Sequence, residues 1–181
     1  TAAFALSLLH RLDPRPLDVQ ALVLCPTREL ADQVTQEIRR LARAEDNVKV
    51  LTLSGGSPIR PQVESLVHGA HVVVGTPGRI IDHLDRGSLN IDAINTLVLD
   101  EADRMLDMGF HDDIAFIASH APKDRQTLLF SATYPAAIDK LAHRFLRQPK
   151  TVKVEEAHDA ATITQRFYEV EEGDRLNAVG R

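Results

Sequence analysis

Short apolar runs alternate with amphipathic helical stretches along almost the whole chain, and this alternation restricts the fold more than any other feature. Residues 20–25, 48–53, 72–74, 97–99, 127–130 and 151–154 read as strands. They are brief, rich in Val and Leu, and mostly continuous rather than alternating, as strands buried on both faces are. Between them the spacing predicts helices over 26–44, 61–68, 78–86, 114–120 and 135–146, with another over 2–12 ahead of the first strand. Leu30, Val34, Ile38 and Leu41 recur at helical spacing in the longest of these. Strand–helix–strand repetition of this kind implies right-handed βαβ crossovers and an α/β fold with a parallel, doubly wound sheet.

The strand at 97–99 ends abruptly in Asp100, Glu101 and Asp103, and a helical pattern with Met105, Leu106 and Met108 as apolar positions follows. Carboxylates at the C-terminal tip of a central strand lie where open α/β sheets bind ligands. Mg²⁺ takes few protein ligands and keeps several waters, so Asp100 alone can hold it on a nucleotide. Glu101 can then orient or deprotonate an attacking water. A plainer reading exists for the same residues, since acidic side chains offset the macrodipole of a helix first turn.

The other strand ends are Pro26-Thr27-Arg28-Glu29, Ser54-Gly55-Gly56, Thr76-Pro77-Gly78-Arg79 and Ser131-Ala132-Thr133. In a parallel sheet all of them reach one edge. Helix N-termini there offer free N–H groups and a positive dipole end, suited to phosphates around Thr27, Gly56 and Thr76. Arg28 and Arg79 add charge-assisted hydrogen bonds. Contacts of this type position a nucleic-acid backbone without reading its sequence. Taken singly, each tip also suits a purely structural role: Thr27 and Thr76 as caps, Pro77 and Pro135 in first turns, Gly55-Gly56 as a turn.

Composition narrows the partners. The chain has 181 residues, 44% hydrophobic and 26% charged, enough for one buried domain and part of a second. Aromatics are 4% and the formal net charge is −5, which argues against base-stacking platforms and confines any nucleic-acid site to a local stripe. The lone Cys25 excludes an internal disulfide. His68, His71 and His83 show no convincing ligand spacing and read as surface or helix-end residues, and Arg39, Arg40 and Arg43 as a solvated basic face. No run approaches transmembrane length, so no membrane partner is expected, and the cytosol is the expected compartment. Residues 1–154 form the expected domain and 155–162 a linker. Residues 163–181 read as the start of a second domain, and the chain as an excised piece.

In this order the motifs Pro26-Thr27-Arg28-Glu29-Leu30-Ala31, Gly55-Gly56, Thr76-Pro77-Gly78-Arg79, Asp100-Glu101-Ala102-Asp103 and Ser131-Ala132-Thr133 resemble the first RecA-like domain of DEAD-box ATP-dependent RNA helicases, a P-loop NTPase fold. The stretches 30–53 and 69–84 are most similar to the bacterial DbpA-type branch, associated with ribosomal RNA and so with ribosome assembly. The resemblance implies ATP and Mg²⁺ as cofactors, RNA and a second RecA-like domain of the same chain as partners, and a monomer. It makes Asp100 the Mg²⁺ holder, through water, and Glu101 the activator of the attacking water. Asp103, Ser131 and Thr133 would couple nucleotide to RNA strand separation. Pro26, Thr27, Arg28, Gly55, Gly56, Thr76, Pro77, Gly78 and Arg79 would grip RNA. Thr1 falls where the family has the hydroxyl of its phosphate loop. The Gly-Lys of that loop and its strand are not among these residues, and the resemblance leads us to expect an internal gap in the sheet. Residues 1–181 alone are therefore expected to bind ATP poorly and not to unwind RNA. A noncatalytic RNA-binding or protein-docking module, and a DNA-directed relative, are the competing readings.

Overall fold

The computed structural model describes residues 1–44 and 47–153. Its compact unit spans Thr1–Pro149. Five parallel strands form one sheet: β1 (Ala21–Leu24), β2 (Val50–Leu53), β3 (Val72–Gly75), β4 (Thr96–Leu99) and β5 (Gln126–Leu129), in the order β2-β3-β1-β4-β5. Around it lie α1 (Ala2–His10), α2 (Arg28–Leu41), α3 (Ile59–Val67), α4 (Pro77–Asp85), α5 (Ala102–Asp107), α6 (His111–His120) and α7 (Ala136–Phe145), with a 3₁₀ turn at Ala42–Ala44.

The strands are continuous apolar runs because both faces are covered. Ala21, Val23, Cys25, Val72, Val74 and Val98 face a layer holding Phe4, Ala5 and Leu8 of α1 and Ala31, Val34 and Ile38 of α2. Leu22, Leu24, Val73, Leu97 and Leu99 face the other layer, with Ile80 of α4, Met105 of α5, Ile114 and Ile117 of α6, and Ile138 and Leu141 of α7. Side-chain alternation along each strand delivers successive residues to opposite layers, so neither face can turn to solvent.

Several expectations are corrected. The sheet has no internal gap, because the five strands pair directly with one another in register. Among the described residues, unpaired strand edges are confined to the outer sides of β2 and β5. Every residue of β1, β3 and β4 is buried, whereas β5 is only partly covered. Residues 151–153 form no strand, and 154 lies outside the described residues, as do the expected linker, second strand and last helix at 155–181. Met108 does not pack: α5 ends at Asp107, Gly109 follows in the left-handed conformation (φ 84°), and Met108 is left 49% exposed. His71 and His83 are buried rather than at the surface. Arg39 of the basic face of α2 donates to the Val50 carbonyl (Nη2–O 2.6 Å) and covers part of the β2 edge.

Candidate functional site

All five strand tips reach one rim, and the strand order sorts them. Across the sheet they run Ser54-Gly55-Gly56 (β2), Thr76-Pro77-Gly78-Arg79 (β3), Pro26-Thr27-Arg28 (β1), Asp100-Glu101 (β4) and Ser131-Ala132-Thr133 (β5). Basic and glycine-rich tips are therefore contiguous on one side and acidic and hydroxyl tips on the other, an order that the chain itself scrambles.

The acidic half is built on the β4–α5 junction. The Asp100 N–H donates to the Leu24 carbonyl at 3.0 Å and the Ala102 N–H to the Phe130 carbonyl at 2.9 Å, so the turn is pinned to both neighbouring strands. Between them Glu101 takes a left-handed conformation (φ 48°, ψ 52°), a strained state for a residue with a side chain. Such strain persists only where the surroundings over-determine it. The turn leaves Asp100 partly buried, with Oδ1 accepting from the Glu101 N–H at 3.1 Å. Burial, with the neighbouring Glu101 carboxylate, pushes the Asp100 carboxyl above its usual range, against the Glu101 N–H. No side-chain cation pairs with Asp100 among the described residues. A partly buried carboxylate with one oxygen unbonded and no side-chain cation paired to it suits a hydrated divalent cation. The Thr1 carbonyl accepts the Ala5 N–H at 3.0 Å, and its hydroxyl makes no cap bond. Glu101 pairs with Arg104 at 3.1 Å.

Asp103, in the first turn of α5, joins the β4 tip to the β5 tip. Its Oδ2 accepts from the Thr133 N–H at 3.0 Å and the Thr133 hydroxyl at 2.9 Å, and Oδ1 accepts from the Arg104 N–H at 3.1 Å. Burial opposes the Asp103 charge, but these donors, Thr133 foremost and with a contribution from Ser131, outweigh it and hold the carboxyl below its usual range. The Ser131 hydroxyl donates to the Thr133 carbonyl at 2.6 Å, which closes the turn.

On the basic half, Thr27 caps α2, its hydroxyl accepting from the Leu30 N–H at 3.3 Å. Pro26 is buried beneath it, and Arg28 stands half-exposed, 3.9 Å from Asp32. Gly56 is left-handed (φ 77°), and a Cβ there would lie 3.2 Å from Arg28 Nη1, so guanidinium and glycine backbone are close neighbours. Gly55 and Gly78 have open space where a side chain would stand. Among the described residues the N–H groups of Gly55, Gly56 and Gly78 donate to no protein acceptor. Thr76 precedes α4 without a side-chain cap bond, and Pro77 fills its first turn. Arg79 is folded inward, its side chain 11% exposed, with Nε 3.6 Å from Asp82. Its Nη2 donates to the Ser57 carbonyl at 3.0 Å, while buried Nη1 has no partner.

Gln62, Ser57 and Ser88, which carried no signal in the sequence, support this half together with His83. Gln62 reaches Ser54, Ser57 and His83, and His83 reaches Ser88. Nothing in the local pattern marks a helical Gln or His as aimed inward, although Gln62 and His83 both precede partly apolar turns. Among the described residues no group of three or more His, Cys, Asp or Glu side chains is placed to hold a metal. Cys25, beneath the rim, is buried, and burial and the nearby Asp100 and Glu101 push its thiol up, so it is not a nucleophile.

Comparison with known proteins gives the same assignment. The family model for DEAD/DEAH box helicases matches residues 1–141. The chain is 51% identical to the ATP-dependent RNA helicase DbpA of Escherichia coli (strain K12), covering 100% of this chain and 40% of that protein. It is 44% identical to the ATP-dependent RNA helicase CshA of Listeria monocytogenes, again over 100% of this chain and 35% of the relative. The crystal structure of a DEAD box protein from the hyperthermophile Methanococcus jannaschii superposes with a TM-score of 0.80 at 42% identity, over 98% of this chain and 47% of that one. The yeast DEAD-box splicing factor Prp28 gives 0.76 at 35% identity, over 81% of this chain and 37% of that one. The chain thus spans about two fifths of the length of these curated relatives. With the five-strand parallel sheet, the ordered rim and a family match over 141 residues in agreement, the chain belongs to the DEAD/DEAH box helicases.

Proposed function

We propose that this chain is the first RecA-like domain of an ATP-dependent RNA helicase that locally separates or remodels RNA duplexes. Ribosomal RNA in ribosome assembly is the substrate expected from the DbpA-type resemblance, and the cytosol the expected compartment. A second RecA-like domain of the same chain would face the rim, and the protein would act as a monomer. The observation that carries this reading is the junction at Asp103, whose bonds to Thr133 tie the carboxylate tip of β4 to the hydroxyl tip of β5 on the rim that also bears Arg28, Gly56 and Thr76.

Asp100, partly buried and without a paired side-chain cation, would hold a hydrated Mg²⁺, with the Thr1 hydroxyl as a further ligand candidate. That ion, bound with ATP, supplies charge neutralisation for phosphoryl transfer. Glu101 orients the attacking water and takes its proton, after yielding its bond to Arg104. Asp103 and Thr133 move together because they share two hydrogen bonds, so a shift of the β4–α5 turn reaches the β5 tip directly. The free N–H groups at Gly55, Gly56 and Gly78, with Arg28, receive successive RNA phosphates. Backbone binding of this kind is indifferent to base sequence.

Steady-state ATP hydrolysis by the complete protein, with single-stranded RNA, single-stranded DNA or neither, tests the reading. RNA stimulates turnover and DNA does not. Equal stimulation by DNA points to a DNA-directed relative, and RNA binding without turnover to a noncatalytic module.

A further inference from the structure

The loop Ser54–Ser57 has little to hold it: two glycines, one of them left-handed, between an edge strand and α3. Yet its polar groups are gripped from behind. Gln62 of α3 donates from Nε2 to the Ser54 carbonyl at 3.1 Å and to the Ser57 hydroxyl oxygen at 3.0 Å. Arg79 of α4 donates to the Ser57 carbonyl at 3.0 Å. A carbonyl only accepts, so the Gln62 amide nitrogen must face Ser54, and Oε1 then faces His83 Nε2 at 3.1 Å. An acceptor at that place requires His83 Nε2 to carry a proton. Nδ1 is then the acceptor for the Ser88 hydroxyl at 2.8 Å, a shorter approach than that hydroxyl makes to the His83 carbonyl at 3.2 Å. The bonds therefore run with one polarity, from Ser88 through His83 and Gln62 to the loop. His83 is fully buried, and burial with Arg79 beside it lowers its pKa, which keeps the imidazole neutral.

Arg79 and His83 are four residues apart on α4, so they lie on one helix face. One helix therefore holds the loop at Ser57 directly and at Ser54 through Gln62. We infer that Gln62 and His83 are positioning residues that lock the Gly55-Gly56 loop at the tip of β2 to the first turn of α4 at the tip of β3, presenting two neighbouring RNA-backbone contacts at a fixed spacing. The inference rests on the RNA-helicase reading and deepens it. The pair touches no residue of the acidic half, so its loss should alter RNA affinity and leave nucleotide chemistry alone.

The test uses the complete protein with Gln62→Met, His83→Phe and the double variant, each keeping apolar volume. The RNA concentration giving half-maximal stimulation of ATP hydrolysis rises about five- to tenfold in either single variant. The maximal rate and the KM for ATP stay within about twofold, and the double variant is no worse than the poorer single one, because one chain of bonds is broken in each. Effects that multiply in the double variant, a parallel fall in maximal rate, or no shift in RNA dependence overturn the inference. If either variant fails to fold, Ser57→Ala carries the test: it removes one Gln62 contact from an accessible loop and raises the half-maximal RNA concentration about twofold, while no change refutes the proposal. A wild-type protein whose ATP hydrolysis ignores RNA defeats the helicase reading itself, and the inference with it, before any variant is made.

Discussion

The two halves of the rim solve opposite problems with the same backbone device. On the acidic half, the strand-to-helix turn at Glu101 draws Asp100 into a partly buried place with no side-chain cation paired to it. On the basic half, the turns after β2 and β3 leave glycine N–H groups without protein acceptors among the described residues and tuck Arg79 in as a brace. The first half stores electrostatic demand, which a divalent ion can meet. The second stores hydrogen-bond donors, which phosphates can meet. Thr27 and Arg28, at the tip of the central strand β1, stand between the two. On the proposed reading, the difference would let one sheet edge bind two polyanions without confusing them, because complementarity is segregated strand by strand.

If the halves are chemically separate, substitutions should divide the same way. The largest effect is expected from Glu101→Gln, which removes the group that accepts the proton from water: RNA-stimulated turnover falls by about 10²–10⁴ while RNA affinity stays within about twofold. A comparable loss of RNA binding, measured by fluorescence anisotropy, would break the division. Arg28→Ala should do the reverse. It weakens RNA binding and flattens the slope of log affinity against log salt by about 0.7, the value for one single-strand phosphate contact, with turnover at saturating RNA unchanged.

The smallest effect belongs to the seam. The Asp103 carboxyl is held below its unfolded value of about 3.9, so its stabilising contribution is present above that pH and fades as pH falls through the lower folded value. Thr133→Val removes the hydroxyl donor and lets the carboxyl rise toward its ordinary range. The variant should lose about 1 kcal/mol or less near pH 7, and the difference should vanish in acid, as urea titrations over a pH series would reveal. A difference that persists at the acid end would mean that Thr133 contributes by packing rather than through the Asp103 charge.

The sequence made some of this plain and hid the rest for physical reasons. Strand positions were readable because burial on both faces demands uninterrupted apolar runs, as in Leu97–Leu99 and Val72–Val74. The tips were readable because Gly, Pro, Thr and Asp punctuate strand ends. Strand order was not, since βαβ repetition is compatible with several sheet orders. That is why the gap expected within the sheet gave way to open edges at β2 and β5. Met108 misled because helical periodicity continues on paper past Asp107, whereas the left-handed Gly109 turns the chain away. His83 was invisible as a brace because its meaning depends on Gln62, 21 residues earlier and on another helix. The link from Asp103 to Thr133 was anticipated through family resemblance alone, and no spacing rule brings residues 30 apart together.

The central claim is that the nucleotide half and the RNA half act as one machine through the β4–β5 seam. Its most direct test is the number of RNA duplexes separated per ATP hydrolysed by the complete protein carrying Ser131→Ala, which unbraces the turn that holds Thr133 against Asp103. The account predicts that this ratio falls by about tenfold, the scale of a coupling free energy of 1–3 kcal/mol, while RNA-stimulated ATP hydrolysis stays near wild type. An unchanged ratio, with hydrolysis and strand separation both retained or both falling in step, would contradict it.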